Sequence, residues 1–397
     1  MKKLAVVISH PIQYYSKVFE VLNKQCLLKV FYSAGNPDEL SYDVGFGKAI
    51  KWDIPLLDGY DYTFVSNSAK KPGYNHFSGI KNTDLIEQIN FFNPSAILVY
   101  GWAYHSHLKV MRHFKDKIPV WFRGDSTLLD DQLWVKSLFR GFLLNWVYKH
   151  VDFAFYVGTA NKAYFKAMGV PDQKLIYAPH AVDNDRFGQD RKEEVRALRD
   201  KLAINDGEIL ILFAGKFEEK KDPFILLEAF IDLNCTNTHL LFVGNGELEE
   251  KLKSTALRHI VKLSAGLAQG DNSGNRVHFM DFQNQNMMPV IYQACDLFCL
   301  PSQGPAETWG LAVNEAMAAG KSILVSNKVG CNKDLIKEDY NGYVFQSQSR
   351  NSLKEKLILL NDFVKLRKFG QNSSEIIESW SFGNQAEKFI KHLYESI

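Results

Sequence analysis

Short apolar runs alternate with helical patterns along most of the chain. Many runs are continuous rather than alternating, which is typical of parallel strands buried on both faces. The predicted strands are Leu4–Ile8, Leu28–Tyr32, Ala96–Tyr100, Val120–Phe122, Phe153–Val157, Ile209–Ala214, Leu240–Val243, Val277–Met280, Leu297–Leu300 and Ile323–Val325. The predicted helices include Ser16–Asn23, Asp84–Phe92, Phe224–Leu233 and Leu311–Ala319. This alternation predicts an α/β fold with right-handed crossovers and doubly wound parallel sheets.

A polar, charged stretch from Asp183 to Glu208 interrupts the pattern near the middle, like a linker that enters a second domain. At about 100–200 residues per domain, a chain of this length predicts two domains. We expect one domain over residues 1–185, a second over 186–375 and a helix over 376–397. Parallel sheets bind ligands at the carboxyl ends of their strands, so a central cleft between two facing domains is the expected site.

The charge balance and the cysteines limit the function classes. The chain has 47 Lys and Arg against 45 Asp and Glu, a net charge of +2, which argues against a general nucleic-acid binder. The cysteines are few, odd in number and lack zinc-site spacing, so we expect buried thiols in a reducing compartment. The amino-terminal apolar run is too short for a signal peptide, and no run approaches a membrane span. We therefore expect a cytoplasmic protein.

One candidate loop follows the strand Ile209–Ala214. Gly215, Lys216 and Lys221 lie in it, and Asp222-Pro223 can cap and start the next helix. Lysines beside a helix amino terminus attract anions. Taken alone, the loop could equally be a solvated charged turn.

A second candidate loop precedes the helix Leu311–Ala319. Glu307 lies in the loop and Glu315 in the helix, eight residues later. At about 1.5 Å per residue this spacing spans about 12 Å, so two carboxylates could reach two ends of one elongated ligand. The amides around Gly310 and Leu311 open toward an anion between them. A hydroxyl-rich group, a phosphate and a ribose would suit this order.

These segments resemble the family 4 retaining glycosyltransferases, which have the GT-B fold of two Rossmann-like domains. Glu307 to Glu315 matches their Glu-x7-Glu motif, and Glu315 to Gly320 their Glu-Ala-Met-Ala-x-Gly segment. Pro179 to Asp183 is similar to their Pro-Asn-Gly-Val-Asp linker, and Val243 to Gly246 to their Val-Gly-x-Gly turn. The resemblance covers roughly residues 150–385.

The resemblance implies a nucleotide-diphosphate sugar as co-substrate, with no other cofactor and no metal. Lys216 and Lys221 would neutralise the diphosphate, Glu307 would hold the sugar hydroxyls and Glu315 the ribose. Further donor-binding positions would be Gly215, Gly310, Leu311 and, beside the base, Met280. The first domain would bind the acceptor, a glycan or a lipid-linked hydroxyl. Bacterial polysaccharide or glycolipid synthesis is the expected setting.

The first half offers weaker signals at three strand ends. His10 and Gln13 follow the first strand, and Trp102 follows Ala96–Tyr100, where it could either stack on a sugar or pack in the core. Many family members have a histidine after the strand equivalent to Val120–Phe122. This chain has Arg123 and Asp125 there instead, which would suit an anionic acceptor and a hydroxyl proton, respectively.

Three alternatives stay open at this stage. The stretch Trp134–His150 mixes aromatic and basic residues, so it is either a helix packed on the sheet or a peripheral contact with the inner face of a membrane. A nucleotide-sugar epimerase of the same fold would convert the donor without an acceptor. A non-catalytic subunit would bind the donor without turnover.

Overall fold

The computed structural model describes residues 1–36, 42–43, 48–49, 51–129, 134–264, 276–305 and 307–395, with the side chains of 42–43, 48–49, 134–139 and 259–264 left out of the description. Contacts divide the chain into two compact units. Unit 1 comprises Met1–Ser41, Ile54–Ala181 and Trp380–Ile397, and unit 2 comprises Tyr42–Asp53 and Val182–Ser379. The division at 181/182 lies four residues before the boundary expected from the sequence.

The elements alternate as the apolar pattern predicts. The strands are β1 (Lys3–Ile8), β2 (Leu27–Tyr32), β3 (Tyr42–Asp43), β4 (Lys48–Ala49), β5 (Asp61–Phe64), β6 (Ala96–Tyr100), β7 (Val120–Arg123), β8 (Phe153–Tyr156), β9 (Leu175–Tyr177), β10 (Ile209–Ala214), β11 (Thr238–Val243), β12 (Val277–Met280), β13 (Leu297–Leu300), β14 (Ser322–Ser326) and β15 (Gly342–Phe345). The helices are α1 (Gln13–Asn23), α2 (Leu85–Phe92), α3 (His105–Phe114), α4 (Trp134–Tyr148), α5 (Thr159–Ala167), α6 (Asn184–Gly188), α7 (Lys192–Lys201), α8 (Pro223–Leu233), α9 (Glu249–Ser264), α10 (Met288–Ala294), α11 (Leu311–Ala318), α12 (Asn332–Leu335), α13 (Arg350–Leu359), α14 (Phe363–Ile377) and α15 (Phe382–Glu395).

Unit 1 is built on a parallel sheet with the order β5-β2-β1-β6-β7-β8-β9. Its central strands are buried on both faces, which explains their continuous apolar sequences. One face packs against α1 and α15, and the other against α2, α3, α4 and α5. The carboxyl-terminal helix α15 is thus part of unit 1, with Phe382, Ala386, Phe389 and Leu393 buried.

Unit 2 is built on a second parallel sheet with the order β12-β11-β10-β13-β14-β15. The expected α/β fold of doubly wound parallel sheets is therefore confirmed. Of the cysteines, Cys26, Cys295, Cys299 and Cys331 are buried free thiols and Cys235 is half-buried.

The charged stretch Asp183–Glu208 is not an extended linker. It forms α6 and α7, and Asp183 caps α6 by accepting a hydrogen bond from the amide of Arg186 at 3.2 Å. Both helices belong to unit 2 and pack on α10, and α6 also packs on α11. The stretch is charged because α7 is a surface helix in which Leu198 is the buried residue.

Candidate active site

The order of strands in unit 2 reverses between β10 and β13, which are neighbours in the sheet but distant in sequence. Ligands of doubly wound sheets bind at such a switch point, beyond the carboxyl ends of the strands. The loop after β10 carries Gly215, Lys216 and Lys221, and the loop after β13 carries Glu307. The fold thus places the two candidate loops at one edge of one sheet.

The two loops are hydrogen-bonded to each other. Gln303 donates its backbone amide to the carbonyl of Lys220 at 2.9 Å and its side-chain amide to the carbonyl of Glu219 at 2.7 Å. Gln348, from the loop after β15, donates to the side-chain oxygen of Gln303 at 2.8 Å. Because these bonds join separate strand ends, they fix the spacing of the charged groups that the loops carry.

Lys221 and Glu307 form a partly buried ion pair at this edge. The Ser302 hydroxyl donates a 2.8 Å hydrogen bond to the same Glu307 oxygen, Oε2. The backbone carbonyl of Glu307 accepts the amide of Gly330 at 3.0 Å, which anchors its loop. The carboxylate is therefore oriented by two side chains, and the sequence motif included only one of them.

Gly310 adopts a left-handed conformation, with φ of +92°, at the amino terminus of α11. An added Cβ would lie 2.9 Å from Val329 Cγ1 and 3.0 Å from Leu300 Cδ2. Glycine is thus required both by the backbone conformation and by the available space. The first amides of a helix have no partner within it, so the turn at Gly310 presents the amide of Leu311 as an anion-binding group.

Glu315 lies in α11 and is only 4% exposed. Its Oε2 accepts a 2.9 Å hydrogen bond from the hydroxyl of Tyr292, a residue of α10. Tyr292 packs edge-on against Phe187 of α6. The helix α11 begins only at Leu311, so Glu307 lies before it. The expected span of about 12 Å assumed a helical rise over all eight residues, and this assumption is wrong.

The remaining donor-side candidates lie at the carboxyl ends of two other strands of this sheet or directly after them. Gly215 and Lys216 follow β10 directly, and Met280 ends the edge strand β12, half-buried. An added Cβ at Gly244, in the turn after β11, would meet the carbonyl oxygen of Gly215 at 2.0 Å. This close approach explains the glycine of the Val-Gly-x-Gly turn, which supports the lysine loop.

In unit 1 the strand order reverses between β1 and β6. His10 and Gln13 follow β1, and Trp102 follows β6, so the fold brings these three candidates to one switch point. The His10 Nδ1 lies 2.9 Å from the Ser9 hydroxyl, and its ring lies 4.6 Å from that of Tyr74. Burial lowers the pKa of His10 to about 4, so the imidazole is neutral at neutral pH. Trp102 is half-buried against the apolar core.

Arg123 does not lie where an acceptor could reach it. Its side chain is 1% exposed and donates to the carbonyls of Ala178 at 2.9 Å and Pro179 at 3.0 Å. Its guanidinium also lies over the ring of Phe389 in α15, at 5.8 Å. We expected Arg123 to bind an anionic acceptor, and the structure argues against this, because the guanidinium binds the chain's own backbone.

Asp125 keeps 48% of its side chain exposed and lies 3.9 Å from the Nε2 of His180. The His180 ring stacks on Tyr15, which in turn contacts Tyr100. Burial is the main cause that lowers the pKa of His180, while the nearby Asp125 raises it. In the sequence, His180 stands out only as part of the segment Pro179 to Asp183 that resembles the family's linker. His180 therefore lies beside the loop that follows β7, where many family members have a histidine in the loop itself.

Within the described part of the chain, no three His, Cys, Asp or Glu side chains are grouped so that they could hold a metal ion. The helices described there also include none that is long and apolar enough to cross a membrane.

Residues 194–375 match the family model described as Glycosyl transferases group 1. This match confirms the resemblance that the Glu-x7-Glu segment indicates, over the part of unit 2 that it covers. These residues are just under half of the chain, so the match shows what this part is similar to, and its assignment to family 4 stays a prediction.

The chain is similar to several curated proteins. Spore coat protein SA of Bacillus subtilis is 30% identical over 202 residues, which are 50% of this chain and 50% of that protein. N,N'-diacetylbacillosaminyl-diphospho-undecaprenol alpha-1,3-N-acetylgalactosaminyltransferase of Campylobacter jejuni is 25% identical over 319 residues, 77% of this chain and 74% of that protein. The first of these matches spans only about half the length of the relative.

Solved structures share the whole fold. Anabaena HepE in complex with UDP and glucose superposes with a TM-score of 0.71 at 15% identity, over 100% of both chains. The glycosyltransferase WaaG, involved in lipopolysaccharide biosynthesis, has a TM-score of 0.61 at 15% identity, over 99% of this chain and 100% of that chain. The chain thus has the GT-B fold, as the resemblance implied.

Proposed function

We propose that this protein is a metal-independent, retaining hexosyltransferase that moves a sugar from a nucleotide-diphosphate sugar to a hydroxyl acceptor. The observation that carries the proposal is the Lys221–Glu307 pair at the switch point of unit 2, beside the amino terminus of α11. The pair supplies a cation and a carboxylate, and the amino terminus of α11 follows in the same loop. A nucleoside diphosphate joined to a sugar requires these three kinds of partner.

The charges match the demands of the reaction. A nucleoside diphosphate leaves with developing negative charge, which must be stabilised more strongly in the transition state than in the ground state. Lys216, Lys221 and the Leu311 amide would stabilise it. Glu307 would accept hydrogen bonds from the sugar hydroxyls. Glu315, held by Tyr292, would accept those of the ribose, with Met280 bordering the base.

In the proposed reaction the acceptor oxygen attacks the anomeric carbon from the side that the diphosphate leaves. The bond from this carbon to the diphosphate oxygen breaks, a bond to the acceptor oxygen forms, and the acceptor proton passes to the departing phosphate. The anomeric configuration is therefore retained. His10, Gln13, Trp102 and Asp125 of unit 1 are the acceptor-side candidates, and neutral His10 suits a hydrogen bond to a sugar hydroxyl.

The acceptor class rests on similarity. The Campylobacter jejuni relative is named for a lipid-linked sugar acceptor, and WaaG for lipopolysaccharide biosynthesis. We therefore propose a glycan or lipid-linked acceptor in the synthesis of a bacterial polysaccharide or glycolipid.

A thermal-shift screen of nucleoside diphosphates and their sugars tests the donor first. A ligand at 100 times its Kd stabilises the folded protein by about 2.7 kcal/mol, so a raised Tm identifies the base. Transfer with that donor, followed by NMR of the product anomer and repeated with EDTA, tests the mechanism. Conversion of the donor without acceptor or free diphosphate would indicate an epimerase, and binding without turnover a non-catalytic subunit. Inversion at the anomeric carbon would contradict retention.

A further inference from the structure

Helix α4 carries apolar side chains on two opposite faces. Leu144, Val147 and Tyr148 are buried in the core of unit 1. On the other side, the exposed fractions are 77% for Phe142, 49% for Leu143 and 40% for Trp146. At 3.6 residues per turn, these three positions fall on the face that points away from the sheet. Packing within unit 1 therefore does not account for them.

Basic residues surround this outer face. The guanidinium of Arg112, in the neighbouring helix α3, lies 5.5 Å from the ring centre of Trp146. Lys109 of α3 and Lys149, directly after α4, are also exposed. We call Phe142, Leu143, Trp146, Arg112 and Lys149 the α4 patch.

Acidic residues are absent from the sequences of three of the four helices of this layer, and the fourth, α2, contains Glu87. The sequences of α3, α4 and α5 contain no Asp or Glu, although the whole chain is nearly balanced in charge. Asp116 and Asp152, which follow α3 and α4, share Lys115 as their ion-pair partner, so these three groups carry one net negative charge against the basic residues of α3, α4 and α5. The patch thus joins exposed aromatic groups to a local excess of positive charge.

A surface with this composition matches an anionic lipid bilayer. Trp side chains favour the headgroup level of a bilayer, and basic residues near the surface are attracted by anionic lipids. Arg112 lies against the Trp146 ring at the edge of the exposed apolar side chains, which is where an anionic headgroup beside an inserted side chain would need a cation. Adjacent exposed apolar side chains of this size mark an interaction surface rather than ordinary exposure.

We propose that the α4 patch docks unit 1 on an anionic membrane surface, with Phe142, Leu143 and Trp146 inserted at the headgroup level. Arg112 and Lys149 bind the lipid phosphates around them. This inference goes beyond the proposed transfer reaction and does not depend on it, since docking requires neither donor nor acceptor.

Flotation of the full chain with lipid vesicles tests the proposal. We expect binding to vesicles of phosphatidylcholine with phosphatidylglycerol, weaker binding at high salt because charges are screened, and little binding to phosphatidylcholine alone. The Phe142→Gln/Trp146→Gln variant should lower the partition coefficient about tenfold or more, since it removes the inserted side chains. Arg112→Gln/Lys149→Gln should weaken binding to anionic vesicles specifically.

Phe91→Gln is the matched control, because Phe91 is 95% exposed on α2 and lies outside the patch. It should bind vesicles as the unaltered protein does, and all variants should keep their Tm because the altered side chains are exposed. Failure of the unaltered protein to float with anionic vesicles would overturn the proposal. So would equal flotation of the patch variants, or a dimer in solution that Phe142→Gln/Trp146→Gln dissociates, which would assign the patch to a protein interface.

Discussion

The ammonium group of Lys221 is ion-paired with the carboxylate of Glu307, 86 positions further along the chain. The two residues meet because β10 and β13 are adjacent in the sheet and their carboxyl-terminal loops are hydrogen-bonded through Gln303. A bound diphosphate would compete with Glu307 for this lysine, and a bound sugar would compete with Lys221 for the carboxylate. If this edge binds the proposed donor, the pair would hold both groups in place beforehand.

Replacing Lys221 with Ala should lower kcat/KM for sugar transfer by about 10²–10³, by analogy with loss of one oxyanion-stabilising donor. The reason is the loss of a cation aimed at the leaving diphosphate. Steady-state kinetics with a saturating acceptor would measure it. Lys220→Ala is the matched control, because the Lys220 ammonium pairs with Glu218 at 3.2 Å instead. Equal losses in the two variants would contradict the assignment.

The Tyr292→Phe variant should bind nucleoside diphosphate more weakly. It removes the 2.9 Å hydrogen bond that helps to orient the buried Glu315 carboxylate, and a hydrogen bond to a charged group typically contributes about 1.5–3 kcal/mol. Calorimetric titration with the nucleoside diphosphate found in the thermal screen would measure the change in Kd. Tyr340→Phe removes a hydroxyl bond to Glu375 at the surface and should leave Kd unchanged. Unaltered affinity in Tyr292→Phe would remove Tyr292 from the site.

The sequence predicted the central strands because burial on both faces gives them unbroken apolar runs. It missed β5, β9 and β15, which lie at the edges of their sheets. β5 and β9 are half-exposed, and β9 is only three residues long. The exposed and half-buried side chains of β5 and β9 interrupt their apolar runs, whereas β15 is buried but short and begins with Gly342.

The proposed donor-side residues come from motifs that are local in sequence. The contacts that support them were not predicted. Tyr292 reaches Glu315 from another helix, and Gln303 joins two loops. The Ser302 bond to Glu307 depends on the shape of their common loop. The burial of Arg123 was missed for the same reason. Nothing in the Arg-Gly-Asp segment shows that the carbonyls of Ala178 and Pro179 lie beside this arginine.

Arg123→Leu should destabilise unit 1 by about 1–3 kcal/mol, since it leaves the buried carbonyl of Ala178 without its donor. The Pro179 carbonyl keeps the side-chain amide of Gln385. Urea unfolding followed by circular dichroism would measure the loss. Affinity for the nucleoside diphosphate should not change, because its proposed ligands lie in unit 2. Arg196→Leu is the control, because it removes the same charge at an exposed position. Its free energy of unfolding should stay close to that of the unaltered protein. A stable Arg123→Leu variant with a raised KM for the acceptor would restore the acceptor role that the structure argues against.

Gly310→Ala should both destabilise unit 2 and weaken donor binding. A left-handed backbone costs a non-glycine residue about 1–2 kcal/mol, and the new methyl group would press on Val329 and Leu300. The strained turn would misdirect the Leu311 amide. Thermal unfolding with and without nucleoside diphosphate would separate the two effects. Gly141→Ala is the matched control, since its Cβ would meet nothing within 4 Å and the residue lies in α4. Normal donor affinity in Gly310→Ala would contradict the anion-binding role of this turn.

Because of His107, we expect the free energy of unfolding to fall in mild acid. The residue is fully buried, its Nδ1 lies 2.9 Å from the Gly101 carbonyl, and its Nε2 lies 2.7 Å from the Ser33 hydroxyl. Burial lowers its pKa from 6.5 to about 4. The unfolded chain therefore takes up a proton as the pH falls below 6.5, while the folded chain does not until about pH 4. The free energy of unfolding should fall over this range, by up to about 1.4 kcal/mol per pH unit for this one site.

Urea unfolding between pH 7 and pH 4.5 would measure the slope. His107→Gln keeps a hydrogen-bonding side chain but removes the titrating group, so its free energy of unfolding should start lower at pH 7 and fall less steeply toward pH 4.5. His76→Gln, at an exposed histidine, should keep the slope of the unaltered protein. Because His10 and His278 also have pKa values lowered to about 4 by burial, the variant should lose part of the dependence rather than all of it. An unchanged slope in His107→Gln would show that this imidazole is protonated in the folded protein, contrary to its burial.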